Sequence, residues 1–349
     1  MPAALITGAN GYIGSHMCDA FLGAGYRVFA LVRKSSDLRF LQGSPAMLLY
    51  GDLTDIAGID FPSAVDVVVH AAALVSDNAG ERLCKRHIYD ITVNLVSLVL
   101  RRYPRLQRFI HISTSLVLGC CADGISEANP GRPAMYVPYN RMKKQTEEYL
   151  FDRWRDQGLP LTILRPADVY GPRDRTSCEL MLRAAERGTP LIVGSGRKKF
   201  AMCYTGNLCR AALAAAERSN GNGKAYTVCN AVSPTWREFF GALQEGVGRR
   251  QRVYVPVSPV LALALFFELL KRLLPGFRPP INYYRIRRIT CQTTYDVSKT
   301  LEELGYPSDE DYQRQFRSIV EWYREEKRRS ARDRARDRRR GPWSRRDGP

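Results

Sequence analysis

The sequence lacks the features that mark several classes of protein. It has only 4 histidines, no C-x-x-C pair and no Cys/His spacing that matches a zinc site. It has no internal repeat. Its most apolar segment, 260–274, contains Glu268, Lys271 and Arg272, and is too short and too charged to span a bilayer. These absences argue against a zinc protein, a repeat protein and an integral membrane protein.

The cysteines are odd in number and scattered, 9 in all. We therefore predict that they are small buried hydrophobic residues in a reducing compartment. The first strand-like run begins at Ala3, so we expect no signal peptide before the fold and a cytoplasmic protein.

Acidic residues are in deficit, with 35 Asp and Glu against 53 Lys and Arg, which gives a net charge of +18. The excess is concentrated near the end, where twelve basic and five acidic residues follow from Arg324 onward. Arginine alternates with aspartate in segment 329–349, which predicts a mobile tail or a frayed helix extension. Anionic lipid and nucleic acid are alternative partners of this tail, but no nucleic-acid fold motif accompanies it, so nucleic-acid binding is not expected.

The 349 residues, 45% of them apolar, suffice for one large domain or two unequal ones. Continuous apolar runs alternate with helical patterns, which predicts an α/β fold with a doubly wound parallel sheet. We expect a dinucleotide-binding domain over 1–172, with returning segments near 200–230. Segments 173–199 and 233–325 would form a smaller substrate lobe, and 260–274 is interpreted as core in preference to a membrane-surface helix. The predicted strands are Ala3–Thr7, Arg27–Val32, 46–50, 65–71, 109–113, 161–164 and 225–228, and the predicted helices are 15–23, Ile91–Arg102, 140–157 and 207–218.

A glycine-rich segment, Thr-Gly-Ala-Asn-Gly-Tyr-Ile-Gly, joins the first predicted strand to the first helix. Gly8 allows a tight turn, Gly11 lets a pyrophosphate approach the helix N-terminus, and Gly14 permits close packing of helix on strand. This order of strand, turn and helix predicts a dinucleotide site.

The end of the second strand carries Arg33 and Lys34, where a carboxylate would bind the ribose of NAD. A guanidinium there suits a 2′-phosphate, so we favour NADP(H) over NAD(H). The alternative is that Arg33 stacks on adenine, which it could do with either cofactor.

Tyr139 and Lys143 are four residues apart at a predicted helix start, so their side chains share one face. A fixed ammonium favours the phenolate, and Tyr139 can then exchange a proton with a substrate hydroxyl or carbonyl. Tyr136 lacks such a partner, because Asn140 stands four residues after it. Hydroxyl side chains follow the fifth strand at 113–115, at the ligand-binding edge of the sheet.

Taken together, these motifs resemble the extended short-chain dehydrogenase/reductase family, also described as the NAD-dependent epimerase/dehydratase family. The likeness covers roughly residues 3–325. The motifs occur in the family's order: the glycine loop at 7–14, Gly-Asp-Leu at 51–53, His-Ala-Ala-Ala at 70–73, Ser-Thr-Ser at 113–115, Tyr139-x-x-x-Lys143, and Leu-Arg-Pro at 164–166.

The resemblance implies a Rossmann sheet and a role for each matching residue. Thr114, with Ser115 as second choice, matches the hydroxyl of the triad, Tyr139 the general acid/base, and Lys143 the lysine that holds the ribose. Asn94 is implied as a fourth member acting through a water relay. It also implies a possible homodimer through the helices at 91–102 and 140–157. The implied cofactor contacts are Gly8, Asn10, Gly11, Tyr12, Ile13, Gly14, Arg33, Asp52, Leu53, Ala71, Ala72, Ala73, Lys143 and Pro166; no metal site is expected.

The branch of the family is suggested by departures from its sugar-nucleotide members. Phe200 and Ala201 stand where epimerases typically carry an Arg-Asp pair, although Arg197 and the lysines after it could substitute. The apolar segment 260–274 and Pro279-Pro280 are similar to the 3β-hydroxysteroid dehydrogenase and dihydroflavonol reductase branch. We therefore expect an NAD(P)-dependent oxidoreductase that interconverts a hydroxyl and a ketone on a fairly apolar substrate, such as a sterol, isoprenoid, flavonoid or acyl compound. The alternatives are a nucleotide-sugar or hopanoid-pathway sugar epimerase and a non-catalytic dinucleotide sensor, and peripheral contact with an anionic membrane is a further expectation.

Overall fold

A seven-stranded parallel sheet forms the centre of the computed structural model, which describes residues 1–188, 191–249, 253–274, 277 and 281–340. The strands are β1 (Ala3–Thr7), β2 (Arg27–Val32), β3 (Met47–Tyr50), β4 (Val67–His70), β5 (Arg108–Ile112), β6 (Leu161–Pro166), β7 (Asp168–Tyr170), β8 (Leu191–Val193), β9 (Met202–Tyr204), β10 (Lys224–Val228) and β11 (Val253–Val255).

Helices connect these strands. They are α1 (Tyr12–Gly23), α2 (Glu81–Cys84), α3 (Ile91–Arg102), α4 (Pro138–Gln157), α5 (Cys178–Glu186), α6 (Thr205–Glu217), α7 (Trp236–Gly246), α8 (Val257–Leu273), α9 (Tyr283–Thr290), α10 (Ser298–Leu304) and α11 (Tyr312–Arg340). A π-helical segment, Lys85–Asp90, joins α2 to α3, and short 3₁₀ turns occupy Ser115–Leu118 and Ser219–Gly221.

The strand order of the main sheet is β10-β6-β5-β4-β1-β2-β3. The chain proceeds outward from β1 to β3 and then resumes on the other side of β1 with β4, and every pairing is parallel. The direction of winding therefore reverses between β1 and β4, and the crevice at the carboxyl ends of these strands is the usual ligand site of such sheets.

Helices cover both faces of this sheet, as predicted. Met17 and Phe21 of α1 and Leu208 of α6 are fully buried in the core on one face. Leu95 of α3 and Leu150 of α4 are fully buried in the core on the other. Two separate apolar layers flank the strands, so the prediction of a doubly wound α/β sheet is confirmed.

A third core lies outside the main sheet and belongs to the C-terminal lobe. Aromatic side chains dominate it, with Tyr170, Phe200 and Phe239 packed against Phe316 and Ile319 of α11. Two small parallel sheets, β7 with β9 and β8 with β11, extend this lobe. The exact division between domain and lobe stays a prediction.

Helix α8 contradicts the interpretation of 260–274 as core. Of its described side chains only Ala264 is buried, whereas Leu265, Phe266 and Leu269 are 54%, 56% and 54% exposed. Sequence pattern alone could not distinguish the two, because an apolar run has no polar face to indicate which side points outward. Pro279 and Pro280, which follow this segment in the sequence, lie outside the described residues.

Two of the nine cysteines contradict the prediction of reduced, buried thiols. Cys121, after β5, forms a disulfide with Cys291 at the end of α9, across a separation of 170 residues. Such a separation leaves no signal in the sequence. The other seven are free and buried, as predicted: Cys18, Cys84, Cys120, Cys178, Cys203, Cys209 and Cys229.

The basic C-terminal segment is helical over much of its length. Helix α11 continues through Arg340, so 329–340 forms a helix extension rather than a mobile tail, and 341–349 lie outside the described residues. Within the described chain, no helix is both long and apolar enough to cross a membrane.

Candidate active site

The glycine-rich turn between β1 and α1 is closely packed. Gly8 adopts a φ of +65°, and a Cβ there would lie 2.8 Å from the Cα of Ala72, which follows β4. A Cβ on Gly14 would lie 2.1 Å from the carbonyl oxygen of Gly8. Helix α1 begins after Gly11 without a side-chain cap, so its first N–H groups are left to meet an anion. The turn fits a dinucleotide pyrophosphate because side chains at these positions would fill the cradle.

The other residues of the turn have different surroundings. The Tyr12 hydroxyl hydrogen-bonds Thr205 at the start of α6, and the Thr205 hydroxyl donates to the carbonyl of Tyr170 at 3.0 Å. Ile13 packs against the core, and Asn10 is partly buried. The side chain of Tyr12 therefore ties the turn to the edge of the C-terminal lobe, which the sequence did not indicate.

The carboxyl ends of β2 and β3 bring Arg33 and Asp52 close together. Arg33 is exposed, and its guanidinium forms no ion pair with any residue in the described part of the chain. Asp52 accepts hydrogen bonds from the N–H and the hydroxyl of Thr54, each at 2.9 Å. Burial tends to raise the pKa of Asp52, but these hydrogen bonds and the charge of Arg33 hold it below its usual value.

Asn94 lies on the nucleotide side of the crevice. Its side-chain amide on α3 donates to the carbonyl of Leu53 at 2.8 Å. It therefore holds the segment after β3, where the sequence predicted adenine contacts. The structure gives its amide no hydrogen bond to the predicted catalytic residues.

His70, at the end of β4, is a neutral anchor that the sequence analysis quoted within a motif but gave no role. Thr92 donates its hydroxyl to the Ile88 carbonyl at 2.7 Å, so His70 Nε2 must donate to Thr92 at 2.9 Å. His70 Nδ1 then accepts from the Thr7 hydroxyl at 2.8 Å. Burial and the neighbouring Lys143 lower the pKa of His70 to about 3. This chain of hydrogen bonds positions the wall at Ala71–Ala73 against the glycine turn.

His111 of β5 pairs across the strands with His70, with ring centroids 5.4 Å apart. It is fully buried, and neither ring nitrogen has a hydrogen-bond partner in the described chain. Burial, followed by Lys143 and His70, places its pKa well below the usual value. Two uncharged imidazoles therefore lie beneath the site.

Lys143 is held rigidly at the centre of the site. Its side chain on α4 is buried, and Nζ donates to the carbonyl of Ile112, the last residue of β5, at 2.6 Å. Burial lowers the pKa of Lys143 to about 8, and Glu147 one turn later opposes this shift. The other N–H groups of the ammonium remain for a ligand.

Tyr139 lies in the first turn of α4, between apolar side chains that include Met142. Its hydroxyl forms no hydrogen bond with a described residue, so it can meet a substrate oxygen. Burial raises its pKa, Asp77 raises it further, and Arg288 opposes the shift. The guanidinium of Arg288 on α9 therefore favours the phenolate of Tyr139, which the sequence did not indicate, and the role expected of Lys143 stays a prediction.

Thr114 and Ser115 follow β5 and differ in their hydrogen bonds. Thr114 precedes a 3₁₀ turn, and its hydroxyl oxygen accepts from the Leu116 N–H at 3.3 Å, which leaves its proton available. Ser115 hydrogen-bonds the phenol of Tyr295. The geometry therefore favours Thr114 as the hydroxyl that faces a ligand. Pro166, at the end of β6, is buried beside Val228 of β10.

A buried ion pair that the sequence analysis missed supports α4 from below. Arg165 of β6 binds both carboxylate oxygens of Glu147 at 2.7–3.1 Å, and Ser113 also donates to Glu147. Arg165 makes a further ion pair with Glu127 at 2.8 Å. Glu147 stands four residues after Lys143, so its position on the same helical face was a readable signal.

Helix α9 lies over the site and makes polar contacts with three separate segments. Tyr284 accepts a hydrogen bond from Asn140 of α4 at 3.1 Å. Arg285 pairs with Asp77 at 2.6 Å, in the segment after β4. Arg288 pairs at 2.5 Å with Asp168 of β7.

A cavity of about 300 Å³ lies on the lobe side of α9 and is mainly apolar. Phe200, at the position of the epimerase arginine, is buried and stacks on Trp236 with centroids 3.8 Å apart. Ala201 is equally buried, so neither residue can contact a phosphate, and Arg197 is exposed. The residues that line the cavity are Met181, Ile192, Val193, Trp236, Phe240, Ile281, Asn282, Arg285, Ile286 and Ile289.

Known proteins resemble this chain over most of its length. It is 28% identical to 4-hydroxy-2-methyl-3-oxo-4-farnesyl-3,4-dihydroquinoline-1-oxide ketoreductase of Stigmatella aurantiaca, over 86% of this chain and 90% of that protein. It is 28% identical to sterol demethylase protein B of Methylococcus capsulatus, over 92% of this chain and 98% of that protein. The crystal structure of UDP-glucose 4-epimerase from Thermotoga maritima shares the fold, with a TM-score of 0.72, 22% identity and coverage of 93% of this chain and 99% of that one.

The model of the NAD dependent epimerase/dehydratase family matches residues 4–229, which include the glycine turn, Thr114, Tyr139 and Lys143. This confirms the resemblance on which the sequence analysis relied. The chain belongs to the NAD dependent epimerase/dehydratase family of oxidoreductases and related enzymes.

Proposed function

We propose that this protein is an NAD(P)-dependent oxidoreductase that interconverts a hydroxyl and a ketone on an apolar substrate. The observation that carries this proposal is the apolar cavity beneath α9, in a lobe where Phe200 and Ala201 replace a phosphate-binding pair with buried core. Two relatives that share 28% identity with it are named as a ketoreductase and a sterol demethylase protein, which supports a substrate of this class.

The cofactor would bind across the crevice between β1 and β4. A nicotinamide dinucleotide, when bound, supplies or accepts the hydride. The glycine turn and α1 would bind its pyrophosphate, Asp52 and Leu53 would lie beside adenine, and Ala71–Ala73 would line the ribose. The exposed guanidinium of Arg33, which forms no ion pair with a described residue, supports a preference for NADP(H), because it can bind a 2′-phosphate.

The chain's own residues would manage the proton. Thr114 would donate a hydrogen bond from its hydroxyl to the substrate oxygen and fix its position. Tyr139 Oη would deliver a proton to that oxygen in reduction or remove it in oxidation. Lys143, held by the Ile112 carbonyl, would orient the ribose with its remaining N–H groups. Because burial raises the pKa of Tyr139, the phenol carries its proton before a substrate binds.

Two further expectations remain proposals. A homodimer through α3 and α4 would leave the crevice of each copy open. Peripheral contact with an anionic membrane would bring the enzyme to substrates that partition into lipid.

The first experiment is to identify any dinucleotide released from the denatured pure protein and to measure NADPH and NADH oxidation with a panel of apolar ketones. We expect little retained cofactor and faster turnover with NADPH. Tyr139→Phe should lower kcat by at least about a hundredfold. Tyr136→Phe, a matched loss of a phenol three residues away, should leave kcat unchanged.

Other outcomes identify the alternatives. Stoichiometric NAD that stays bound, together with epimerisation of a sugar nucleotide and no ketone reduction, would overturn the proposal in favour of an epimerase. Cofactor binding with no turnover, unaffected by Tyr139→Phe, would indicate a sensor.

A further inference from the structure

Helix α8 presents its apolar side chains to the outside of the molecule. Leu265, Phe266, Leu269 and Leu273 are 54%, 56%, 54% and 67% exposed, and their spacing places them on one side of the helix. Ala264, on the opposite side, is fully buried. A helix with this orientation exposes the surface that a core helix would cover.

This apolar face adjoins helix α9, which lies over the candidate active site. Helix α8 packs along α9, which contacts Asn140 near Tyr139 through Tyr284 and lines the apolar cavity. Tyr136, which is 60% exposed, meets Tyr284 edge to face, with centroids 5.8 Å apart. Val75 is 77% exposed, two residues before the partner of Arg285. Exposed apolar side chains from three segments therefore border α9.

Charges of both signs lie near this face. Glu268 of α8 and Arg287 of α9 both lie close to the Tyr136 phenol, and Arg287 forms no ion pair with a residue that the structure describes. Lys271 stands seven residues after Ala264 and therefore shares the opposite side of α8. The whole chain carries +18. A second copy of the chain would bring like charges together, whereas anionic lipid headgroups would complement them.

We infer that the face formed by Leu265, Phe266, Leu269 and Leu273 docks into the interface of an anionic bilayer, with α8 lying in the membrane plane. Apolar side chains would reach the acyl boundary, and Arg287 would lie at the headgroups. Helix α9, which lines the apolar cavity, would then lie at the lipid surface, so that a substrate dissolved in lipid enters along α8 and α9. This last step rests on the proposed function, whereas the docking surface does not.

Vesicle flotation tests the docking surface on the full-length protein. The vesicles are phosphatidylcholine alone or phosphatidylcholine with phosphatidylglycerol. We expect the wild type to float with the anionic vesicles, and Phe266→Glu with Leu269→Glu to weaken binding at least about tenfold. Leu180→Glu on α5, where the native side chain is 59% exposed, is the matched control and should bind as the wild type does.

Three results would overturn the docking surface. Wild-type protein that stays with the buffer would do so, as would an α8 variant that floats as well as the wild type. The third is a dimer in size-exclusion chromatography that the α8 variant dissociates while vesicles remain unbound, which would assign the face to self-association. Leu265→Gln with Leu273→Gln provides a second, uncharged variant whose folding is checked by circular dichroism.

Turnover separates this inference from the proposed function. With a water-soluble ketone, the α8 variants should match the wild type while Tyr139→Phe is inactive. With a ketone carried in anionic vesicles, the α8 variants should lose about tenfold in rate. Vesicle binding without any ketone turnover would retain the docking surface and reject the proposed function. Equal rates of wild type and α8 variants on vesicle-borne ketone would reject entry from the bilayer.

Discussion

The sheet half of the molecule and the C-terminal lobe are stabilised by different kinds of contact. The half that carries the glycine turn has seven strands whose backbones pair continuously, with two apolar layers around them. The lobe has strands of three residues and relies on side chains, including the aromatic core around Phe239 and the hydrogen bond from Asn230 to Tyr170 at 3.1 Å.

This difference bears on where function can vary. Backbone pairing tolerates few changes of geometry but fixes the turn, the strand ends and α4 relative to one another. Side-chain packing depends on the identity of each residue, so the lobe can be remodelled for new substrates. The candidate catalytic residues lie in the first region, and the apolar cavity lies in the second.

The largest effect on the sheet half is expected from adding a side chain in the glycine-rich turn between β1 and α1. Gly14→Ala would place a Cβ 2.1 Å from the Gly8 carbonyl oxygen, so backbone must move. We expect loss of dinucleotide binding by at least about a hundredfold, together with destabilisation of about 1–3 kcal/mol. Gly23→Ala at the end of the same helix meets nothing within 4 Å and is the control. Calorimetric titration with NADPH measures the affinity of both variants. Normal affinity in Gly14→Ala would contradict the assignment of this turn as the dinucleotide site.

Removing the Glu147 carboxylate tests the support beneath Lys143, the candidate catalytic lysine. Glu147→Gln leaves the Arg165 guanidinium buried without its main partner, which should lower the free energy of unfolding by about 3–5 kcal/mol. Glu148→Gln, at an exposed neighbour, should change it by less than about 0.5 kcal/mol. Urea unfolding compares the variants, and equal stabilities would show that the pair contributes little to the sheet half.

The disulfide offers a way to separate the lobe from the sheet half. Replacing Cys121 and Cys291 with serine should lower the free energy of unfolding by about 2–4 kcal/mol, because a long loop is no longer closed in the unfolded chain. Turnover should be retained, since the Arg285–Asp77 and Arg288–Asp168 ion pairs still hold α9. Dithiothreitol should shift the thermal midpoint of the wild type and leave the double variant unchanged. Loss of turnover would mean that the disulfide positions α9 over the site.

The sheet half follows from the sequence because its signals are local. β1, β2 and α3 have the predicted bounds, and α4 begins only two residues before Asn140, the predicted start. Helix α2 and the π-helical segment were missed because residues 81–90 are largely polar and have no apolar period.

The lobe and the surroundings of the site could not be predicted in the same way. The Arg285–Asp77 pair, the Cys121–Cys291 disulfide and the outward orientation of α8 all depend on residues that are distant in the chain. Among the site residues that were not predicted, only the Glu147 position carried a helical spacing signal. The mutual arrangement of His70 and His111 becomes visible only once β4 and β5 are paired.

The buried imidazoles of His70 and His111 link folding to proton uptake. Both are neutral when folded, the first with a pKa near 3, and both regain ordinary histidine values when the chain unfolds. Below about pH 6.5 the unfolded chain therefore takes up a proton at each of these rings that the folded chain does not bind, and His16, whose pKa burial lowers to about 4, adds a third. Each of these protons should lower the free energy of unfolding by about 1.4 kcal/mol for each unit by which the pH falls, until the folded chain binds it as well. Acid titration of unfolding would show this dependence, and His111→Phe would make it shallower by one proton. The same pair of rings that lies beneath the site thus contributes to how acidic an environment the enzyme can withstand.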